Sequence, residues 1–142
     1  MIALANVADI LGLPGALAPR SAIGLVARIE DGLPLETLER VARLVAPGDS
    51  QFKYRLVPRA TYERRKGKKV LSNEEGTRLA RLARVWSLAL DVWGTEDEAR
   101  QFLFRPHSMI EDKRPVDVVI QSEFGAEMVV DILGGLRYGS AA

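Results

Sequence analysis

The chain has 142 residues, 47% of them hydrophobic and none of them cysteine. It is long enough to bury one core or two small ones, and disulfides and thiolate metal sites are excluded. The formal net charge of +1 selects no partner by itself, and no apolar run approaches the roughly 18 residues that a membrane span needs.

The first twenty residues are apolar but lack a basic start and carry Asp9, which argues against a secretory signal. Residues 1–20 are expected to form a short helix, Val7 to Leu11, ended by Gly12 and Pro14, and then a mobile Gly/Ala/Pro linker. The absence of cysteine suits a reducing cytoplasm, which is the expected location.

Residues 21–70 read as short helices with close turns. Ser21 caps a helix carrying Ile23, Val26, Ala27 and Ile29, stopped at Gly32. Pro34 sits where a first helical turn tolerates it, and Leu35, Leu38, Val41, Ala42 and Val45 keep helical spacing up to Pro47 and Gly48. Asp49 or Ser50 caps a third helix running through Phe52 to Leu56. Pro58 opens a fourth, from Arg59 to about Lys66, ended by Gly67. Helices of this length and spacing suit a helix-turn-helix, with the third and fourth as its two helices.

Residues 71–142 begin with the longest pattern in the chain, Leu71 to Gly94. Ser72 followed by Glu75 is a capping box, and Gly94 is a C-cap residue. Leu79, Leu82, Ala83, Trp86, Ala89, Leu90 and Trp93 fall on one stripe at 100° per residue. Val85, Leu88 and Val92 lie off it. Either they fill a core that wraps around the helix, or they meet a second chain; the pattern leaves both open. Thr95 with Glu96, Asp97 and Glu98 starts another helix, and Pro115 opens a short one. In the last helix, from Glu123, the residues Phe124, Met128, Val129, Ile132, Leu133 and Leu136 are expected to share one face, with Glu127 and Asp131 opposite. Gly134 and Gly135 loosen its end. The fold class is therefore all-α.

Charge is unevenly spread. Lys53, Arg55, Arg59, Arg64, Arg65, Lys66, Lys68 and Lys69 crowd together, opposed only by Glu63, and the remainder is correspondingly acidic. Around the last helix of a helix-turn-helix, such a cluster is the electrostatic footprint of a DNA binder. Arg59, Thr61 and Tyr62 would reach base edges or flanking phosphates in the major groove, while Arg64, Arg65 and Lys66 would meet phosphate. A solvated basic face, or one turned to an acidic protein, produces the same pattern.

Nothing points to catalysis. His107 is the sole histidine, so histidine metal clusters and paired-histidine chemistry are absent. It follows Pro106 at a helix end, where surface and capping roles are commoner than base catalysis. The glycines form no phosphate loop with the required lysine and Ser/Thr. No cofactor, catalytic residue or metal site is expected.

An ordered set of residues resembles the Xre/MbcA/ParS family of bacterial antitoxins. Leu71-Ser72 and Glu75 lead into Arg78, then Ala83-Arg84-Val85, Ala89, Val92 and Trp93-Gly94. Ala99, Phe102-Leu103, Pro106, Pro115, Gly125, Val129, Leu133 and Tyr138-Gly139 follow. The resemblance covers about Arg59 to the C-terminus. It departs from the family at Phe102, where relatives usually carry Trp, and at Glu111 to Arg114, where they have a Gly-rich turn. It implies a DNA-binding and dimerising region over residues 21–70 and a helical toxin-binding domain over 71–142. The implied partners are operator DNA, a RES-domain toxin directed at NAD, and a second copy of the chain, assembled as a homodimer and a hetero-oligomer with the toxin. It also implies that the C-terminal end, Arg137, Tyr138, Gly139 and Ser140, plugs the toxin's active-site entrance, supported from behind by Leu133 and Leu136. A stand-alone transcriptional regulator, or an interaction module that does not bind DNA, are the alternatives the residues leave open.

Overall fold

The computed structural model describes residues 4–13 and 21–137. Among these residues there are nine α-helices, one 3-10 turn and no strand: α1 (Leu4–Leu11), α2 (Ala22–Asp31), α3 (Leu35–Val45), α4 (Lys53–Leu56), α5 (Arg59–Lys68), α6 (Asn73–Trp93), α7 (Glu96–Phe104), the turn Ser108–Ile110, α8 (Pro115–Gln121) and α9 (Glu123–Arg137). The expected linker after Pro14 and the tail from Tyr138 to Ser140 lie outside the described residues. The chain divides into two compact units, residues 1–83 and 84–142, and the division falls inside α6. The division expected from sequence, between 70 and 71, lies just ahead of that helix.

In the first unit Leu33, Leu38, Val41, Val45, Phe52, Leu56, Leu71, Leu79 and Leu82 are buried together with α1's Val7, Ala8 and Leu11. Ser21 caps α2 as expected, accepting from the Gly24 N–H at 3.1 Å. The α1–α3 packing is reinforced by Arg40, whose guanidinium donates to the carbonyls of Asp9 and Ile10, each at 3.2 Å. These carbonyls lie at a helix C-terminus, where a cation is favoured, and that of Asp9 also accepts from the Gly12 N–H at 3.0 Å. Two backbone bonds, Leu35 N–H to the Lys69 carbonyl and Leu71 N–H to the Leu33 carbonyl, tie the turn after α2 to the turn after α5. They set where α5 ends. The helix runs through Gly67, the expected stop, and closes at Lys69, which adopts a left-handed conformation with φ of 60°.

The capping box of α6 is formed. Ser72 Oγ accepts from the Glu75 N–H at 3.2 Å, and Glu75 Oε1 accepts from the Ser72 N–H at 2.8 Å. Arg65 on α5 donates to the same carboxylate through two nitrogens, at 2.9 and 3.2 Å. Burial by itself would raise the Glu75 carboxyl, but these hydrogen bonds and the Arg65 charge outweigh it and hold the group below its ordinary value.

In the second unit, α6 from Val85 to Ala89 is buried on every side, Ser87 included. Val85 and Leu88 therefore fill the chain's own core, while Val92, nearer the helix end, is half-buried. Helix α9 is joined to α6 at both ends, by Arg84 to Glu123 at 3.5 Å and by Arg137 to Asp91. The expected stripe frays at the end of α6. Trp86 and Ala89 are fully buried, Leu90 is half-buried, and Trp93 is 37% exposed.

Helices α8 and α9 pack closely through an elbow in which Ser122 Oγ accepts from the Gly125 N–H at 2.9 Å. A Cβ at Gly125 would run into the Val118 carbonyl. This contact between small residue and backbone sets the rotation of α9. Gly125, Ala126, Val129, Ile132 and Leu133 turn inward. Phe124 and Met128, expected on that face, point outward beside Glu127 and Asp131.

Between α7 and α8 the chain turns through Glu111 and Asp112, both left-handed with φ of 56° and 62°. Here relatives were expected to carry glycine. The turn is closed by an antiparallel bridge, with the His107 N–H donating to the Lys113 carbonyl at 3.0 Å.

Candidate functional site

The helix-turn-helix candidate is α4, the link Val57-Pro58, and α5. Leu56 and Val57 are buried and anchor the link, and Arg78 of α6 donates to the Leu56 carbonyl at 2.7 Å, closing the end of α4. Tyr62 is only 7% exposed. Its hydroxyl donates to Glu39 of α3, and Lys53 Nζ reaches the same carboxylate oxygen at 2.9 Å. Burial would raise the Glu39 carboxyl, yet the hydrogen bonds from Tyr62 and Lys53, with the Lys53 charge, hold it below its ordinary value. The same hydrogen bonds to Glu39 raise Lys53 and Tyr62. This half-buried triad, with Tyr62 its buried member, fixes α5 against α3.

The sequence-selected residues of α5 therefore separate into two sets. Tyr62 and Arg65 face inward and are engaged by Glu39 and Glu75, and Thr61 is half-buried. Arg59, Arg64 and Lys66 are exposed. Arg59 stacks on Tyr54 with its guanidinium 4.0 Å from the ring centroid and donates to Gln51 Oε1 at 2.6 Å. Lys66 pairs with Glu63 at 3.3 Å. At 100° per residue the outward centre of α5 lies at Ala60, Arg64 and Gly67, with Lys68 on one flank and Glu63 and then Arg59 on the other. A Cβ at Gly67 would meet nothing within 4 Å. A helix whose outermost positions are small approaches a surface closely, and Arg64 is the long side chain at the middle of that approach.

The second candidate lies at the end of α9. Leu133 is fully buried, Leu136 half-buried, and Arg137 exposed and bound to Asp91. Leu136 joins Trp93, Phe102, Arg105 and His107 around a concavity of about 210 Å³. His107 sits at the N-cap of the turn Ser108–Ile110, where its Nδ1 accepts from the Met109 N–H at 3.2 Å. Its ring lies edge-on to Phe102, 6.0 Å between centroids. Among the described residues there is no group of three or more His, Cys, Asp or Glu arranged to hold a metal ion, and no helix long and apolar enough to cross a membrane.

The two units differ in charge. Lys and Arg number 14 against 9 Asp and Glu in residues 1–83, and 6 against 10 in residues 84–142. Residues 24–84 match the antitoxin Xre-like helix-turn-helix domain, and residues 88–139 match the antitoxin Xre/MbcA/ParS C-terminal toxin-binding domain. The chain belongs to the Xre family of antitoxins. It is 26% identical over 132 residues to an antitoxin Xre of Photorhabdus laumondii subsp. laumondii, covering 91% of this chain and 86% of that one. The antitoxin thus joins a basic helix-turn-helix unit to an acidic toxin-binding unit. Sequence reasoning missed the support that Glu39 and Lys53 give Tyr62. The signal was present in the helical spacing of Glu39 behind Leu38, but nothing local connects positions 39 and 62. It also missed the outward turn of Phe124 and Met128.

Proposed function

We propose that this antitoxin neutralises a RES-domain toxin directed at NAD, and that it represses its own operon through α5. It performs no reaction and needs no cofactor. It acts in the cytoplasm, as a homodimer that places two α5 helices on paired half-sites. The observation that carries the reading is the toxin-binding match over residues 88–139 directly behind the helix-turn-helix match over residues 24–84. The RES identity of the toxin rests on the family resemblance.

In this reading Arg64 is the base-reading side chain of α5. Arg59 and Lys68 meet phosphate on either side, and Lys66 adds to the local field. Tyr62 and Arg65 hold the helix from within and Thr61 borders it, so these three act on DNA through position rather than contact. The toxin is blocked sterically by the end of the chain. Leu133 supports that end from the core, Leu136 borders the concavity beside it, and Arg137, Tyr138, Gly139 and Ser140 enter the toxin's cleft.

Two experiments test this. The protein encoded beside this chain is expressed in bacteria with no antitoxin, with the full chain, and with a chain ending at Arg137. Growth arrest relieved by the full chain only is the expected result. Rescue by both would move the blocking surface away from the tail, and arrest relieved by neither would end the toxin reading. Binding to the upstream DNA, measured against salt, should lose about one unit of log–log slope for each phosphate contact removed. Arg64→Ala should relax sequence preference, while Lys68→Ala should weaken all sequences alike. Binding indifferent to salt and to both substitutions would remove the repressor role.

A further inference from the structure

Helix α9 carries a surface that the second unit's own packing does not account for. Phe124 is 77% exposed and Met128, one turn later, 39% exposed. Large apolar side chains placed one turn apart and rimmed by charge mark an interaction surface rather than a scatter of tolerated residues. The rim is acidic. Glu123, Glu127 and Asp131 follow one another at intervals of four, an arrangement that destabilises a helix through like-charge repulsion. Arg84 faces Glu123 at 3.5 Å, and no cation pairs with Glu127 or Asp131 among the described residues.

The same side continues into Gly134. Its backbone is helical and a Cβ there would meet nothing within 4 Å. Neither conformation nor space inside the chain calls for glycine, although glycine weakens a helix relative to alanine. A missing side chain of this kind is useful to a neighbour that comes close from outside. All of these residues lie within the stretch matching the toxin-binding domain, in a unit whose acids outnumber its bases 10 to 6.

We infer that the outward face of α9 is the principal docking surface for the toxin. Phe124 and Met128 enter an apolar pocket, Glu127 and Asp131 meet a basic rim on the toxin, and the toxin backbone passes close over Gly134. The inference rests on the toxin reading given above, and adds to it a surface distinct from the tail. The tail blocks; this face holds.

The test uses the full chain and the purified neighbour-encoded protein, with growth rescue, affinity and thermal stability read in parallel. The double variant Phe124→Ala/Met128→Ala should lose about tenfold or more in affinity, as anchor residues do, and should fail to relieve growth arrest. Its melting temperature should equal that of the wild type, because neither side chain belongs to the core. Glu127→Lys/Asp131→Lys should weaken the complex and flatten its salt dependence. Gly134→Ala should raise the melting temperature while weakening the complex. If the wild type rescues and the Phe124/Met128 variant rescues with equal affinity, this face is not the docking surface, and the toxin reading survives. Unchanged toxin affinity with altered self-association in sedimentation would assign the face to a second copy of the chain, which also overturns the inference. A wild type that neither binds nor rescues removes the toxin reading and this inference with it.

Discussion

The helix-turn-helix unit and the toxin-binding unit each turn one helix face away from their own core, and they furnish those faces in opposite ways. On α5 the outermost positions are Ala60 and Gly67, with Arg64 between them and Lys68, Arg59 and the Lys66-paired Glu63 on the flanks. On α9 they are Phe124 and Met128 among carboxylates. A nucleic acid presents a uniform polyanion with information recessed in a groove, so a helix that reads it needs slim positions, long cations and little apolar area. A folded partner presents pockets, and there large apolar anchors supply most of the affinity. The difference also shows in how the two helices are held. Helix α5 is fixed from behind by two carboxylates, Glu39 and Glu75, that engage its inward polar residues. Helix α9 is fixed by apolar packing and by the close approach of Gly125 to Val118.

That contrast can be broken from either side. The largest effect is expected from Trp86→Ala in the second unit, which removes a fully buried indole and should cost about 3–5 kcal/mol in urea unfolding. Next comes Gly125→Ala, which drives a methyl into the Val118 carbonyl and should cost about 3 kcal/mol at most, with loss of toxin affinity as α9 rotates. In the first unit, Glu75→Gln removes a charge that serves both the capping box and Arg65, for about 2 kcal/mol. This cost should appear in DNA affinity as well as in stability.

Acid sharpens the comparison. The folded carboxyls of Glu39 and Glu75 lie below their ordinary value of 4.5. Their contribution is therefore present above the unfolded value and is lost as pH falls through the folded one. Stability measured from neutral pH downward should fall below about pH 4.5, and Glu39→Gln with Glu75→Gln should flatten that fall. An undiminished acid slope in the double variant would show that other groups carry it. The smallest effect is a gain. Glu111→Gly relieves a left-handed glutamate and should raise stability by about 1 kcal/mol.

Much of this architecture was legible in the chain because it is written locally. Ser21, the Ser72–Glu75 box, Thr95 and Pro115 announce helix starts within three or four residues of themselves, and each starts a helix. The basic cluster was legible as a cluster, but not the direction of each member. Arg65 and Arg64 are neighbours in sequence and opposites in space, and only the position of Glu75 ten residues away decides which is engaged. The end of α5 was misplaced at Gly67 because its stop depends on a backbone bond to Leu35, far upstream. The face of α9 was misjudged for a related reason. Apolar residues at 124, 128, 129, 132, 133 and 136 span too wide an arc to share one core. The tie is broken by Gly125, whose role is a near contact with another helix that spacing alone does not reveal.

Both tryptophans of the chain, Trp86 and Trp93, lie in the second unit. One is sealed in the core and the other is 37% exposed. The molecule therefore carries its own optical label on one side only. Indole emission follows the acidic unit, with a dry and a wet component that a soluble quencher can tell apart. The basic unit is dark in that channel, and Tyr54 and Tyr62 are its aromatic reporters. The acidic half alone can thus be watched in the indole channel, without attaching a dye.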